Sequence, residues 1–360
     1  MTEPLRCAIV GLDSAFWPAG FWQAATDHPE TELVAACGLG LSAEEIEKDF
    51  YVPVDPWLAD HGLTRTVTFD ELMEVDFDIA FLSSRNTVMP GLAERLVDAG
   101  KHLFVAKPMA ITGTDARRYL RAKDAGVVVS AGQLASAWQP WPTMLRLLGE
   151  GRIGRLLTMR AVHQHGDYNA FPEQLWYADP TEGDAFNWLG WYPVEAITAA
   201  MGPIERVMGV GRQLASSYGE MPDHLAGIFE LADGRHATGV AYFTIGAWSM
   251  PMHEGELVGT KGVLRFSGPG ESVQVLDDNG ASTVPFDDIA DQLTLEFARF
   301  VDAVRGRGEA AASLERAVHV AEVAAAWQES ARKGQPVEID PHEVRGSASR
   351  SRLGTGPARS

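Results

Sequence analysis

Short apolar runs alternate with helical patterns over the first 130 residues, in the manner of parallel βαβ units. Gly100 and Gly126 follow two of the helical patterns, at the place where glycine commonly ends a helix. The pattern predicts five or six strands and three helices. The strands are residues 5–10, 32–37, 66–68, 78–82, 102–105 and 127–129, and the helices are residues 18–25, 89–99 and 115–125.

This alternation predicts an α/β fold with a doubly wound parallel sheet in residues 1–130. In such sheets, ligands bind beyond the carboxyl ends of the strands, so the residues that follow each strand are the informative ones. The candidates for contact with a bound ligand are Gly11, Asp13, Ser14, Gly38, Ser83, Ser84, Arg85, Asn86 and Lys107.

From about residue 151 the pattern changes to strands joined by tight turns, of which Asp233-Gly234 and Asn279-Gly280 are the clearest. We therefore expect residues 131–342 to form an α+β domain with a large, mostly antiparallel open sheet. Residues 343–360, rich in Ser, Gly and Arg, are predicted to be a disordered tail. The predicted strands are 156–165, 206–212, 226–231, 236–244, 256–258, 263–266 and 273–276, followed by helices at 287–304 and 314–333.

The 360 residues carry a formal net charge of −19 and have a pI near 4.9. Nucleic acids and anionic lipid surfaces bind clustered Lys and Arg, so this acidic balance argues against both partners and favours a small-molecule ligand. The sequence holds no run of about 18 apolar residues, and its start lacks the pattern of a signal peptide, which predicts a cytoplasmic protein. Cys7 and Cys37 fall in predicted interior strands, where a reduced cysteine behaves as a small apolar residue.

Two ionisable residues stand at turns in separate parts of the chain. Lys107 follows the apolar strand 102–105 and precedes Pro108. Tyr192 lies in the segment Gly190-Trp191-Tyr192-Pro193. A lysine and a tyrosine supplied by two parts of one α/β chain suggest proton transfer beside a nucleotide cofactor.

Five short motifs occur in a fixed order: Ala99-Gly100-Lys101-His102, Lys107-Pro108, Gly151-Arg152-Ile153-Gly154, Gly259-Thr260-Lys261-Gly262, and residues 330–337. In this order the chain resembles the Gfo/Idh/MocA oxidoreductases, which include glucose-fructose oxidoreductase, inositol dehydrogenases and dihydrodiol dehydrogenase. The resemblance runs from about residue 5 to residue 339. It implies an N-terminal Rossmann domain for NAD or NADP and a C-terminal domain whose open sheet carries the substrate and mediates oligomerisation. A homodimer or homotetramer with a carbohydrate-like small-molecule substrate is the implied assembly.

Lys107 matches the lysine of the family's Glu-Lys-Pro motif, although Ala106 replaces the glutamate. The resemblance implies a cation between nicotinamide and substrate. Such a cation would stabilise alkoxide character as hydride leaves, and it would lower the pKa of a neighbouring acid–base group. A solvated surface lysine is the alternative.

Tyr192 falls on the acid–base position of the family's Gly-x-Tyr-Pro signature. Pro193 favours the first turn of a helix, which we predict over residues 193–201. The positive end of that helix and Lys107 should together lower the pKa of the phenol. A tyrosine buried for packing is the alternative.

The phosphate loop departs furthest from the family. Gly11 keeps the first glycine of Gly-x-Gly-x-x-Gly, whereas Asp13 takes the second position, where an acid would repel pyrophosphate. Ser14 and free backbone amides before the helix could still bind phosphate. Gly38 replaces the ribose-binding acid that is usual for NAD, and no nearby arginine favours NADP. The sequence therefore leaves the choice between NAD and NADP open.

The predicted substrate contacts come from strand 156–165 and from the segment around the tyrosine. Two histidines alternate onto one face of that strand, either as the lining of a polar pocket or as an ordinary exposed face. A metal site would need a third ligand, which the spacing does not supply. Trp188 stands where the family usually has an aspartate, and Asn187 or Glu195 could provide a hydrogen bond in its place. The candidates are His163, His165, Asn187, Trp188 and Trp191, with the tryptophans 138, 141 and 176 around the same cleft.

The leading hypothesis is an NAD(P)-dependent oxidoreductase that moves hydride between nicotinamide and a secondary alcohol or ketone of a sugar, cyclitol, glycoside or related ring. Tyr192 would exchange the proton and Lys107 would polarise the oxygen. Two alternatives stay open at this point. One is a redox-inactive sensor or regulator, suggested by Asp13, Gly38 and Ala106. The other is a lyase or glycosidase in which bound NAD oxidises a sugar transiently.

Overall fold

The structure is a computed structural model of the chain. It describes residues 3–13, 17–49, 54–60, 62–66, 68–166, 179–215, 221–245, 252–268 and 270–340. Ser14, Trp176 and the tail 343–360, which the sequence singled out, lie outside the described residues.

The first sheet has six parallel strands, as the apolar runs predict. They are β1 (Leu5–Val10), β2 (Thr31–Cys37), β3 (Thr64–Thr66), β4 (Ile79–Leu82), β5 (His102–Val105) and β6 (Val129–Ala131). Their order is β3-β2-β1-β4-β5-β6, so β1 pairs with β2 on one side and β4 on the other. The strand order therefore reverses at β1, which confirms the doubly wound sheet.

Two strands of this sheet are shifted by two residues from the prediction, and β2 and β4 each begin one residue away from the predicted start. β3 begins and ends two residues earlier, and β6 two residues later. For β6 the reason is visible in the hydrogen bonds of two valines. The Val127 N–H donates to the Ala122 carbonyl (3.2 Å), and the Val128 N–H donates to His102 Nδ1 (2.9 Å). These apolar residues therefore close the preceding helix and cross to the sheet before the strand begins.

Seven helices accompany this sheet within the described residues. Three short ones were not predicted because they lie in polar stretches. The helix at Phe69–Met73 begins with a capping box, in which the side chains of Thr68 and Glu71 each accept the other's backbone N–H. The single helix expected at 115–125 is two helices joined by a 3₁₀ turn at Tyr119–Arg121. The helices are α1 (Trp17–Asp27), α2 (Ala43–Asp49), α3 (Val54–Asp60), α4 (Phe69–Met73), α5 (Met89–Asp98), α6 (Gly113–Arg118) and α7 (Ala122–Ala125).

The second sheet has nine strands, and β10 with β7 is its one parallel pair among the described residues. The turns at Asp233-Gly234 and Asn279-Gly280 join antiparallel neighbours, as predicted. β14 was not predicted because its side chains are small and almost all exposed, without an apolar alternation. The strands are β7 (Leu156–Gly166), β8 (Ile204–Arg212), β9 (His224–Leu231), β10 (His236–Ile245), β11 (His253–Gly259), β12 (Gly262–Phe266), β13 (Ser272–Asp277), β14 (Gly280–Pro285) and β15 (Val337–Glu338), in the order β14-β13-β12-β11-β7-β10-β9-β8-β15.

Five further helices belong to the second part of the chain: α8 (Trp141–Gly149), α9 (Ala185–Trp188), α10 (Trp191–Met201), α11 (Gln292–Val304) and α12 (Leu314–Lys333). α12 buries Trp327 against the second sheet; a Cβ on Gly209 would lie 2.1 Å from its ring. α11 instead packs on the first sheet, where Phe297 lies 5.0 Å from Phe81 between ring centroids. A helix late in the chain therefore completes the core of the first domain. None of the helices in the described residues is long and apolar enough to span a bilayer.

Candidate active site

Lys107 stands directly beyond the carboxyl end of β5, where the sequence placed it. Its Nζ donates a hydrogen bond to the carbonyl of Trp188 (3.0 Å) and lies 4.5 Å from the centroid of the Tyr192 ring. Burial of the ammonium lowers the pKa of Lys107 to about 7. The structure thus brings together the two residues that the sequence singled out, and they lie 85 positions apart in the chain.

Tyr192 is the second residue of α10 and is buried. Its hydroxyl donates to Gln133 Oε1 (2.8 Å). Burial raises the pKa of the phenol, and the nearby Glu296 carboxylate raises it further. The expectation that Lys107 and the helix end would lower this pKa is wrong, because loss of solvation outweighs both effects. The phenol therefore stays protonated near neutral pH.

Two buried histidines face each other across β7 and β11. His163 stacks on Tyr192 with ring centroids 4.0 Å apart, and His163 Nδ1 lies 3.5 Å from His253 Nδ1. Burial lowers the pKa of His253 to about 3; burial and then the neighbouring histidines and Lys107 lower that of His163 well below its usual value. His165 lies on the same face, 6.2 Å from His163 between ring centroids, and burial lowers its pKa to about 4. All three rings are therefore neutral at pH 7.

Sequence reasoning missed His253, although a signal was present. The predicted strand began at residue 256, but the alternation of Glu254 and Glu256 with uncharged residues extends back to residue 253. Extending the strand by that alternation would have placed His253 on the inner face, opposite His163.

Sequence reasoning also missed Gln133, which follows β6 and has a positive φ of 56°. Three of its groups are hydrogen-bonded. Its N–H donates to Glu296 Oε2 (2.7 Å), its carbonyl accepts from Trp191 Nε1 (3.2 Å), and its side chain accepts from Tyr192. A non-glycine residue held in the left-handed region by several contacts is typical of functional sites.

The remaining substrate candidates contact protein groups. Asn187 closes the capping box of α9: its Oδ1 accepts from the Asp184 N–H (3.2 Å), and its Nδ2 donates to the Ile111 carbonyl (3.3 Å). Trp191 is fully buried, and Trp188 presents its carbonyl to the lysine. A role in substrate contact stays a prediction for these three residues.

The hydrogen-bond partner of Tyr192 differs from the two that were suggested. Glu195, like Asn187, bonds elsewhere: its carboxylate accepts from the Ser136 N–H (2.6 Å) and hydroxyl (2.8 Å), and it pairs with Arg316 (3.3 Å). Gln133, from the end of β6, takes the place that those two residues were expected to fill.

The carboxyl edge of the first sheet is tightly built at Gly11. This residue has a φ of +98°, and a Cβ there would lie 1.9 Å from the Ser83 carbonyl oxygen. The Ser83 hydroxyl is buried and has no hydrogen-bond partner among the described residues. Gly38 is buried at the end of β2. The carboxyl edge therefore holds two buried glycines and a buried hydroxyl without a hydrogen-bond partner among the described residues.

Asp13, at the second position of the loop, faces the protein. Ser84 Oγ donates to Asp13 Oδ2 (3.1 Å), and Arg85 Nε lies 3.8 Å from the same oxygen. Burial raises the pKa of Asp13, while Ser84 and Arg85 oppose that shift. The neighbours of this carboxyl group weaken its repulsion of a phosphate.

Asn86 and Thr87 join the first sheet to the second part of the chain. Asn86 Nδ2 donates to the Glu182 carbonyl (2.6 Å), and the Thr87 N–H and hydroxyl donate to the Glu182 carboxylate (2.9 and 2.7 Å). Within the described ranges, no group of three or more His, Cys, Asp or Glu residues is arranged to hold a metal ion.

Two family models cover most of the chain. The model described as an oxidoreductase family with an NAD-binding Rossmann fold matches residues 5–133, and the Gfo/Idh/MocA C-terminal domain matches residues 141–265. The chain belongs to the Gfo/Idh/MocA oxidoreductases. Its cofactor is accordingly a nicotinamide dinucleotide, NAD or NADP.

Three proteins to which the chain is similar are named as a reductase or an oxidoreductase. A 1,5-anhydro-D-fructose reductase of Ensifer adhaerens is 31% identical over 110 residues, which are 30% of this chain and 33% of that protein. An uncharacterized oxidoreductase of Rhizobium meliloti, ORF334, is 25% identical over 287 residues, covering 74% of this chain and 82% of that protein. An Agrobacterium radiobacter oxidoreductase, solved with NAD+, L-tartaric acid and magnesium, shares the fold with a TM-score of 0.80 at 17% identity, covering 94% and 98% of the two chains.

The residues at the carboxyl edge fit such a cofactor. Gly11 and Gly38 leave backbone rather than side chain at two strand ends, and the buried Ser83 hydroxyl is available as a hydrogen-bonding group. Asp13 faces Ser84 and Arg85. Lys107 stands at the end of β5 on the same edge, beside the residues of the second domain.

Proposed function

We propose that this protein is an NAD(P)-dependent dehydrogenase or reductase that acts on a secondary alcohol or ketone of a sugar, cyclitol, glycoside or related ring. One observation carries the proposal: the Lys107 amine lies over the Tyr192 ring, 4.5 Å from its centroid, at the carboxyl end of a strand in the cofactor-binding sheet. When bound, the nicotinamide accepts hydride from a carbinol carbon or donates it to a carbonyl carbon.

Lys107 is the group that we assign to proton exchange. A general acid–base group is most effective when its pKa lies near the working pH, and burial lowers the pKa of Lys107 to about 7. In alcohol oxidation the neutral amine takes the hydroxyl proton as the C–H electron pair leaves and C=O forms. In ketone reduction the ammonium returns that proton to the oxygen. The sequence analysis gave the proton to Tyr192, but its raised pKa suits that task less well.

Tyr192 we assign to holding the substrate. Its proton is directed to Gln133 Oε1, so the lone pairs of the phenol oxygen are left to accept a hydrogen bond. A substrate hydroxyl is the matching donor. The neutral His165, on the same face as His163, offers a further polar contact.

A cleft of about 760 Å³ beside Gln133 supports a polyhydroxylated substrate. Glutamine amides, four carboxyl groups and an indole line it. The amides and carboxyl groups can bind sugar hydroxyls, and the indole can pack on C–H faces. Trp138 links the cleft to the site, since its ring lies 5.0 Å from His253 and 6.3 Å from Tyr192 between centroids. The lining residues that the argument uses are Gln133, Trp138, Gln139, Phe286 and Gln292.

The outer face of the second sheet supports self-association. Met208, Val210 and Ile228 on β8 and β9 are between 38% and 51% exposed, and Met208 pairs with Ile228 in register. A second copy of the chain would bury this apolar face, as in a homodimer or homotetramer.

The experiment is hydride transfer by the purified protein, followed as nicotinamide absorbance with NAD+ and NADP+ over a panel of sugars, cyclitols and 1,5-anhydro sugars. Lys107→Ala should lower turnover by about 10²- to 10⁴-fold. Lys101→Ala is the matched control, because Lys101 also bonds a carbonyl and lies 4.5 Å from an aromatic centroid, that of Phe77. Undiminished turnover in Lys107→Ala, or no transfer by the wild type with any substrate in either direction, would refute the proposal.

A further inference from the structure

Glu296 is a fully buried glutamate on α11 to which the proposed reaction assigns no role. Burial raises the pKa of its carboxyl group to about 8, although hydrogen bonds from the Leu134 and Gln133 N–H groups oppose that shift. Its Oε2 accepts from the Gln133 N–H (2.7 Å). Its Oε1 accepts from the Leu134 N–H (2.7 Å) and from Gln292 Nε2 (3.2 Å). Both oxygens are therefore directed to the short segment that follows β6.

This segment needs such support, because Gln133 adopts a φ of 56° without being glycine. The left-handed conformation is unfavourable for such a residue, so the surrounding contacts must hold it. The two N–H bonds to Glu296 fix the backbone from one side, and the Trp191 indole fixes the carbonyl from the other. The side chain of Gln133 is then left against the hydroxyl of Tyr192 (2.8 Å).

We propose that Glu296 is a positioning residue for the reaction: it fixes the backbone of Gln133 and thereby holds the Gln133 amide against the phenol of Tyr192. This inference rests on the proposed function, in which Tyr192 contacts the substrate. By taking the phenol proton, Gln133 leaves the Tyr192 oxygen as a hydrogen-bond acceptor for the substrate. The group that binds there must then be a donor, so the arrangement selects a hydroxyl over a carbonyl at that position.

Glu195, on α10, provides a matched control because its carboxyl group also bonds to the segment that follows β6. It is also fully buried, and it also accepts a backbone N–H and a hydroxyl, both from Ser136. Its bonds reach Ser136 and Arg316 rather than Gln133. Removing its charge should loosen the segment without altering the partner of the phenol.

The test is a double-mutant cycle on turnover with the best substrate of the panel. Glu296→Gln keeps the shape of the side chain, but the new amide nitrogen meets a backbone N–H whichever way it turns. We expect kcat to fall about 10- to 100-fold, as small misplacements in active sites do. In the Tyr192→Phe background the same change should cost less than about twofold, because the phenol is already gone. Glu195→Gln should hold kcat within about twofold in both backgrounds.

Gln133→Asn keeps the test decisive if Glu296→Gln folds poorly. Asparagine tolerates the left-handed region better than most residues, so this variant should fold, yet its shorter side chain cannot reach the phenol. It should lower kcat to the same extent as Glu296→Gln. The protein without cofactor gives a second readout: the Tm losses of Glu296→Gln and Tyr192→Phe should sum to more than the loss in the double variant.

The outcomes separate this inference from the proposed function. If Tyr192→Phe lowers kcat but Glu296→Gln lowers it by the same factor in both backgrounds, the positioning role is refuted and the function stands. If Tyr192→Phe leaves kcat unchanged, the phenol has no part in the reaction, and both the role of Tyr192 and the inference are refuted.

Discussion

The two edges of the first sheet carry similar residues in different surroundings. At the amino end of β5, Lys101 donates to the Phe77 carbonyl and lies 4.5 Å from the centroid of its ring. At the carboxyl end, Lys107 donates to the Trp188 carbonyl and lies 4.5 Å from the centroid of the Tyr192 ring. A lysine therefore packs against a carbonyl and an aromatic ring at either edge.

The difference between the edges comes from the second domain. At the carboxyl edge, α10 places the Tyr192 ring against the lysine, and β7 stacks His163 on that ring. The lost solvation lowers the pKa of Lys107 to about 7. The lysine contacts are similar, but the chemistry depends on what covers them. This teaches that the interface of the two domains, rather than the strand itself, makes the candidate site.

The buried histidines of the second sheet should give the largest difference from the amino edge, in the pH dependence of stability. His163 and His253 have lowered pKa values in the folded state, so the unfolded chain binds more protons below about pH 6.5. Their stabilising contribution is fully present above that pH and is lost as pH falls toward about 3. The loss is about 1.4 kcal/mol per pH unit for each ring that stays neutral.

Urea unfolding of the protein at a series of pH values measures this slope. His253→Phe should flatten the decline between about pH 6.5 and pH 5. His102→Phe, at the amino end of β5, should flatten it less, because His102 is only partly buried and Asp78 opposes the lowering of its pKa. An equal change in slope in the two variants would contradict the comparison.

Glycines at the two edges give the next contrast. Gly11→Ala places a Cβ 1.9 Å from the Ser83 carbonyl at a φ of +98°, so β1 and β4 must separate. We expect a loss of about 3 kcal/mol in the free energy of unfolding. Gly100→Ala has open space around its Cβ and a φ of +73°, so the cost should be about 1 kcal/mol. Thermal unfolding of both variants checks the difference, and equal losses would show that crowding at the carboxyl edge is unimportant.

Periodicity and turn residues predicted most of this fold. Continuous apolar runs indicated the parallel strands, and Asp233-Gly234 and Asn279-Gly280 indicated hairpins, because these signals depend on neighbours in sequence. β14 has almost no apolar face and escaped detection. The packing of Phe297 under the first sheet was also not predicted. A helical pattern shows that one face is buried, but it does not show which element that face packs against.

In the candidate site, too, some residues could be predicted from the sequence and others could not. Lys107 and Tyr192 were found because each follows a local signal, a strand end before proline and a helix start. Gln133 and Glu296 were not, because their importance lies in hydrogen bonds that join residues 163 positions apart. The pKa of Tyr192 was predicted in the wrong direction, since two favourable charges can be read from sequence but the depth of burial cannot.

The last contrast between the edges concerns the chemistry of the lysine itself. If Lys107 exchanges the proton, alcohol oxidation needs its neutral amine, so kcat/KM should rise about tenfold per pH unit below pH 7 and level off above it. Ketone reduction needs the ammonium, so its kcat/KM should fall above about pH 7. The same group then makes kcat/KM rise with pH in oxidation and fall with pH in reduction. A group that acts only on folding would change kcat/KM in the same sense in both directions.

Arginine variants at the two ends of β5 complete this test. Lys107→Arg keeps a cation that does not lose its proton in this range, so the limb near pH 7 should disappear in both directions along with most of the turnover. Lys101→Arg should leave the limb in place. A limb that persists in Lys107→Arg would belong to another group, and the lysine would then act only by its charge. Because the two lysines have matching contacts, a difference between their arginine variants would trace the proton exchange to the surroundings that the second domain provides.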